Sequence, residues 1–329
     1  MTATRLEAPV PSGNEQSSLG VSLRGLAVGD RIYRLVITLA AACIPILLLL
    51  IAVEVGIAGW PALRQFGLGF LTSSVWDPVA GEFGAAPAVV GTLVTSALAL
   101  LIATPLALGS AIFLSEFAPR WLRTPLAFLV DLLAAIPSIV YGMWALFVLV
   151  PLFRTSVIPF LRDSLHLGST PLFTGPAYGP SVFTASVVLA IMVLPYIAAV
   201  AREVLLAVPR SQREAALALG ATRWEAISGA VLPYARTGII GGVILGLGRA
   251  IGETMAVTMV IGNSHELSAS LLSPGYTMAS LIANEFTEAT GELHVSALMA
   301  VGFVLFVVTL LVNGVARWLV WRVARGATA

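Results

Sequence analysis

Residues 209–233 read PRSQREAALALGATRWEAISGAVLP, a polar segment set between two long apolar runs, 181–201 and 236–262. Its spacing predicts two short helices. Ser211 and Glu214 stand three apart, as a capping box requires, and Gly220 suits the left-handed position that ends a helix. Thr222 and Glu225 repeat the box, and Pro233 follows the second helix. Trp224, Ile227 and Val231 then share one stripe, an apolar ridge that either lies on lipid or fills a groove on another protein. The flanking runs are about 20 residues or longer, enough for a helix to cross a hydrocarbon layer. A capped polar hairpin between two such runs predicts a polytopic helical membrane protein.

Outward from the hairpin, further apolar runs lie at about 35–58, 88–114, 124–150 and 296–320, so the expected fold is all-α with six transmembrane helices. Composition agrees: 58% of the 329 residues are hydrophobic and 11% charged. An ordinary soluble domain has about 25% charged residues, so a soluble globule is excluded. The expected organisation is a disordered tail over 1–30, a first helix with its loop over 31–86, a core over 87–320 that includes the hairpin loop 202–235, and a tail over 321–329. The run at 35–58 continues well past Cys43, which argues against a lipoprotein signal.

Arginines orient the bundle. Arg5, Arg24, Arg31, Arg34, Arg120, Arg123, Arg202, Arg210, Arg213, Arg223, Arg236, Arg317, Arg322 and Arg325 fall on one side, against Arg64, Arg154 and Arg162 on the other. The positive-inside rule then places both termini, the 115–123 loop and the hairpin in the cytoplasm. Trp60 and Trp76 are expected at the outer interface, and Trp121, Trp318 and Trp321 at the inner. The 18 cations are all arginine, so the chain has no lysine for a Walker A site, and any ATP it uses is hydrolysed elsewhere. A net charge of +1 points to no nucleic acid, and His166, His265 and His294 lack metal-ligand spacing. Pro105, Pro137 and Pro195 interrupt spans, and Gly238, Gly242 and Gly246 form a four-residue ladder suited to close helix packing.

One cation lies inside a span. Arg249 falls about ten residues, about 15 Å, into a span beginning near Ile239, where a guanidinium costs about 2.5–3.5 kcal/mol on insertion scales. Glu253 lies four residues on, so an internal ion pair is one reading. The other is an oxyanion station, in which Gly248 and Gly252 leave room and Thr254 and Thr258 add hydroxyls. Asp131, expected inside the third span, is a buried acid that pairs with an arginine or neutralises Arg249 when no anion is bound.

The hairpin resembles the cytoplasmic coupling signature of ABC-importer permeases at Glu214, Ala215, Ala216, Gly220, Leu232 and Pro233, with Ala230 where that signature usually has Ile. Residues 247–263 (LGRAIGETMAVTMVIGN) resemble phosphate-specific (Pst) transporter permeases of the C type, supported by 135–145 and by Gly91–Ser96. This resemblance implies a type I ABC-importer permease core and a membrane subunit of a phosphate importer without a cofactor. The implied partners are an A-type permease, an ATP-binding subunit dimer, an extracytoplasmic phosphate-binding protein and membrane lipid. It also implies that Arg249 and Glu253 border the phosphate path, and that Glu214, Gly220 and Trp224 belong to the ATPase-docking segment. The competing expectations are a permease for sulfate or molybdate, which would carry the same hairpin, and an ion-driven secondary transporter, which should show an internal repeat.

Overall fold

The computed structural model describes residues 15–164, 166–175 and 178–325. Six helical segments among them are long and apolar enough to cross a membrane: Asp30–Phe66, Ala86–Phe117, Ser138–Ser164, Val182–Leu206, Arg223–Ile251 and Glu292–Arg322. Residues up to Glu54 and those from Val55 onward form two separate compact units. In the first unit helix α1 (Glu15–Phe66) is already under way, inside the segment expected to be a tail. Residues 1–14 and 326–329 of the two expected tails lie outside the described residues. From Ile32 to Val53 the large apolar side chains of α1 are exposed on all sides, as suits a span bathed in lipid.

In the second unit the end of α1 leads through the short α2 (Gly69–Thr72) to a minimal antiparallel hairpin of β1 (Trp76–Asp77) and β2 (Glu82–Phe83). There follow α3 (Ala86–Ile112), α4 (Arg120–Ala135), α5 (Ser138–Trp144), α6 (Val150–Leu152) and α7 (Val182–Leu206). After α7 come α8 (Arg210–Ala218), α9 (Arg223–Ala226), α10 (Leu232–Ile251), α11 (Met255–Val260), α12 (Met278–Glu285) and α13 (Glu292–Arg325). Helix α7 is the axis of this unit. It is apolar on every face and buries Val188, Leu189, Val193, Ile197 and Leu205 among α3, α5, α10 and α11. The glycine ladder is a packing device: a Cβ at Gly238 would stand 2.6 Å from Val204, one at Gly242 3.1 Å from Val200, and one at Gly246 2.8 Å from Val193 and Ile197. Only hydrogen fits where α10 lies on α7.

Two spans differ from expectation. The run at 124–150 is not one helix, because Pro137 forces its predecessor Ile136 into extended backbone, with ψ 129°. The third membrane-crossing segment therefore begins at Ser138. Asp131 lies ahead of it on the amphipathic α4, with 53% of its side chain exposed and Arg202 3.9 Å away. The expectation of a buried acid within the third span is thus corrected in its placement, while its arginine partner is Arg202. The fifth run is also interrupted: α10 ends at Ile251, and α11 resumes only at Met255.

The hairpin follows expectation in part. Gly220 adopts φ +86°, and Thr222 and Glu225 cap α9 reciprocally. Ser211 caps nothing, since Pro209 occupies the N-cap of α8. Pro233 does not end the second helix: α9 passes through a π-type turn (Ile227–Val231) into α10, and Pro233 lies just past that irregular turn. This continuity turns Ile227 and Val231 inward against Ala111, Leu205 and Val208. The expected ridge of Trp224, Ile227 and Val231 therefore reduces to Trp224 alone.

Candidate functional site

Arg249 occupies the last turn of α10, where the helix dipole favours a cation. Its guanidinium lies over the ring of Tyr196 on α7, 4.7 Å from the centroid. Tyr196 in turn donates its hydroxyl to the carbonyl of Ala134 at 2.8 Å, and Tyr141 donates to Leu133 at 2.9 Å. Tyr196 thus satisfies a carbonyl at the Ile136–Pro137 break, and Tyr141 adds a second bond at Leu133, whose carbonyl also accepts from the Ile136 amide at 3.4 Å. The broken end of α4 and the broken end of α10 meet at Tyr196.

Glu253 is buried and lies beyond the end of α10. One of its carboxylate oxygens accepts from the Ala256 amide at the start of α11, at 3.4 Å; the other stands 3.9 Å from Arg249 Nη2. At that separation the two attract but form no hydrogen bond. Among the described residues no acceptor takes a hydrogen bond from Arg249. Its Nε is buried without a partner, and 35% of the side chain faces open space. The arrangement is a permanent cation with an unspent donor fork, held by an aromatic face and a distant carboxylate. It suits a tetrahedral oxyanion, which such a fork can meet with paired bonds.

The remaining residues sort by geometry. Thr258 donates to the carbonyl of Thr254 at 2.8 Å within its own helix, while Thr254 sits at the break and reaches the Gly252 carbonyl at 3.3 Å. Gly252 terminates α10, and a Cβ there would meet the Gly248 carbonyl oxygen at 3.6 Å. Among the described residues Asp131 pairs with Arg202, and no ion pair joins it to Arg249.

On the hairpin, Glu214, Ala215, Gly220, Trp224 and Pro233 are exposed, and Ala216 and Leu232 half-buried. Sequence reasoning missed Leu219, which is 90% exposed where Trp224 is 56%, with Leu217 also outward. It also missed Arg213. This side chain grips Glu116 at the end of α3's span, with Nη2 to Oε1 at 2.6 Å and Nε to both carboxylate oxygens at 3.2 Å. Arg213 and Glu116 are 97 residues apart, so no local spacing announces them.

At the opposite end of the bundle, His265 and His294 converge on Glu285, with Nε2 atoms 2.8 and 3.1 Å from its two oxygens. Trp76 donates its indole N–H to the same carboxylate at 2.6 Å and stacks on His265, so it is a buried polar anchor and not part of a lipid-facing aromatic belt. Burial pushes the Glu285 carboxyl up, but the bonds from His265, Trp76 and His294, with the charge of His265, outweigh it and hold the group below its usual 4.5. A lowered folded-state pKa contributes stability that is fully present above the unfolded value and is lost as pH falls through the folded one. Glu285→Gln is therefore expected to cost about 1–3 kcal/mol near neutrality. Melting of wild type and variant in parallel should show the difference shrinking below about pH 4.5; a gap that persists unchanged would refute this role.

The chain matches the family model described as "Binding-protein-dependent transport system inner membrane component" over residues 103–325. It is 47% identical over 310 residues to the phosphate transport system permease protein PstC of Mesorhizobium japonicum, covering 94% of this chain and 95% of that one. It is 51% identical over 303 residues to PstC of Xylella fastidiosa strain Temecula1, covering 91% and 93%. The probable PstC of Methanocaldococcus jannaschii is 42% identical over 259 residues, covering 77% and 81%. Among solved structures, a chain from inward-facing MetNI, a methionine ABC transporter, superposes with a TM-score of 0.50 at 18% identity, over 71% of this chain and 93% of that one, a likeness of fold. The chain belongs to the family of inner membrane components of binding-protein-dependent transport systems, as a multi-pass permease of the PstC group.

Proposed function

We propose that this chain is the membrane subunit of an ATP-driven importer of inorganic phosphate, with the hairpin and both termini in the cytoplasm. The observation that carries the reading is Arg249: a guanidinium with no hydrogen bond to the described residues, at the meeting point of two helix breaks, in a chain whose relatives are named phosphate permeases. Because Arg249 looks onto open space, a second permease would close the passage across from it. Glu253 and Thr254 border that passage. The attraction must remain reversible, so that the anion leaves as readily as it enters.

The work comes from outside the chain. With no lysine to build a phosphate-binding loop, ATP hydrolysis falls to a partner subunit. That ATPase would take Leu219 and Trp224 into a cleft, alongside Glu214, Ala215, Ala216 and Gly220, and displace the hairpin as it closes on nucleotide. Leu232 and Pro233 then join the displaced segment to α10 and so to Arg249. An extracytoplasmic binding protein would deliver phosphate on the opposite side.

The test is uptake of radiolabelled phosphate by cells deleted for this chain. Reintroducing it is expected to restore uptake at least tenfold, with arsenate as a competitor and sulfate and molybdate without effect. Equal competition by sulfate or molybdate would assign the permease to another oxyanion.

A further inference from the structure

Helix α8 is tethered to α7 by only three residues, 207–209, and none of its own residues is buried, so apolar packing does little to fix its angle. What fixes it is Arg213. Besides the paired bonds to Glu116, this side chain donates from Nη1 to the Val208 carbonyl at 2.7 Å and from Nη2 to the Leu205 carbonyl at 2.8 Å. One guanidinium thereby ties the hairpin to the ends of two spans. The pair is largely withdrawn from water, with side-chain exposures of 23% for Arg213 and 13% for Glu116, so screening does little to soften it.

Both anchor points lead inward. Glu116 lies in the π-type turn Phe113–Phe117 that ends the α3 span, and Arg123 on α4 pins the same turn by donating to the Ser115 carbonyl at 2.8 Å. Leu205 lies nine residues along α7 from Tyr196, about 13.5 Å at 1.5 Å per residue. Tyr196 carries the Arg249 guanidinium and holds the far end of α4 through Ala134. A push on α8 thus reaches the guanidinium station through α7, and reaches α3 and α4 through Glu116.

We propose that Glu116 and Arg213 are positioning residues that form the joint through which displacement of the hairpin is passed to α3 and α7. The proposal rests on the reading that an ATPase docks on the hairpin, and it goes beyond it, since it concerns the connection behind the docking surface. Neither residue is asked to touch phosphate or nucleotide.

The test uses the whole transporter, with its second permease, ATPase and binding protein, in liposomes. Glu116→Gln keeps shape and one acceptor oxygen but removes the charge. It is expected to leave the ATPase co-purifying in wild-type amount while phosphate moved per ATP hydrolysed, counted per assembled complex, falls at least tenfold. Arg213→Lys should act alike, and the double variant should be no worse than either single, because all three break one connection. A wild-type transport ratio in Glu116→Gln overturns the proposal, as does a loss confined to the amount of complex with the ratio intact in what remains. Absence of the ATPase from the wild-type preparation would instead sink the docking reading. Hydrogen exchange at amides 211–219 of the purified chain still tests the joint in that case: faster exchange in Glu116→Gln supports it, and unchanged exchange overturns it.

Discussion

Arg249→Gln is expected to abolish phosphate uptake while the transporter still assembles at its wild-type level. Assembly survives because Arg249 donates no hydrogen bond to the described residues, so its removal orphans no acceptor; the structural losses are its contact with Tyr196, worth about 0.5–2 kcal/mol, and its attraction to the buried Glu253 carboxylate 3.9 Å away, which the Ala256 amide still caps. Transport does not survive, because glutamine keeps neither the charge nor the fork. Two charge-assisted bonds to the anion at about 1.5–3 kcal/mol each correspond to a fall of about 100-fold to more than 10,000-fold. Arg249→Lys keeps the charge without the paired geometry and should fall between. Normal uptake by Arg249→Gln would remove this residue from the path. Glu253→Gln divides the two readings of the pair: its oxygen still caps the Ala256 amide, so a role beside the anion predicts altered uptake in a normal amount of complex. A simple ion pair predicts less folded complex instead.

The second large effect is expected at the hairpin. Leu219→Asp combined with Trp224→Asp should remove the ATPase from a detergent pull-down without unfolding the permease, since both side chains already face outward. If a partner buries them at about 1.5–3 kcal/mol each, the double change weakens docking by about 100-fold or more. Gly220→Ala should be milder. It places a Cβ in the left-handed region, at a cost of about 1–2 kcal/mol, and shifts the angle between α8 and α9 without altering the docking side chains. Retention of the ATPase by the Leu219 and Trp224 double variant would locate the docking surface elsewhere.

Features governed by local chemistry were legible in the amino-acid order. Apolar length marked six crossings, Gly220 announced its left-handed turn, Thr222 and Glu225 their box, and the ladder from Gly238 to Gly246 its close contact with α7. Hydropathy misplaced the third crossing because it sums over Ile136–Pro137, whereas the backbone breaks there. The same averaging hid the gap between α10 and α11, and it put Asp131 inside a span when it lies on the amphipathic approach to one. Ile227 and Val231 were misassigned for a different reason. A stripe on an isolated helix does not say which side is outward, and once α9 continues into α10 that side is set by the bundle. The Glu116–Arg213 clasp and the meeting of His265, His294 and Glu285 depend on chain crossings that no short window contains.

The phenol groups at the cut end of α4 carry a last consequence. Inside hydrocarbon, a helix can ordinarily be bent only by stripping backbone carbonyls of their partners, a step lipid penalises heavily. Here Tyr141 and Tyr196 hold those oxygens by side chains, which pivot about single bonds. Swinging α5 against α4 would therefore strain the Tyr141 bond and the 3.4 Å bond from the Ile136 amide to the Leu133 carbonyl, while Tyr196, on α7, keeps the Ala134 carbonyl occupied.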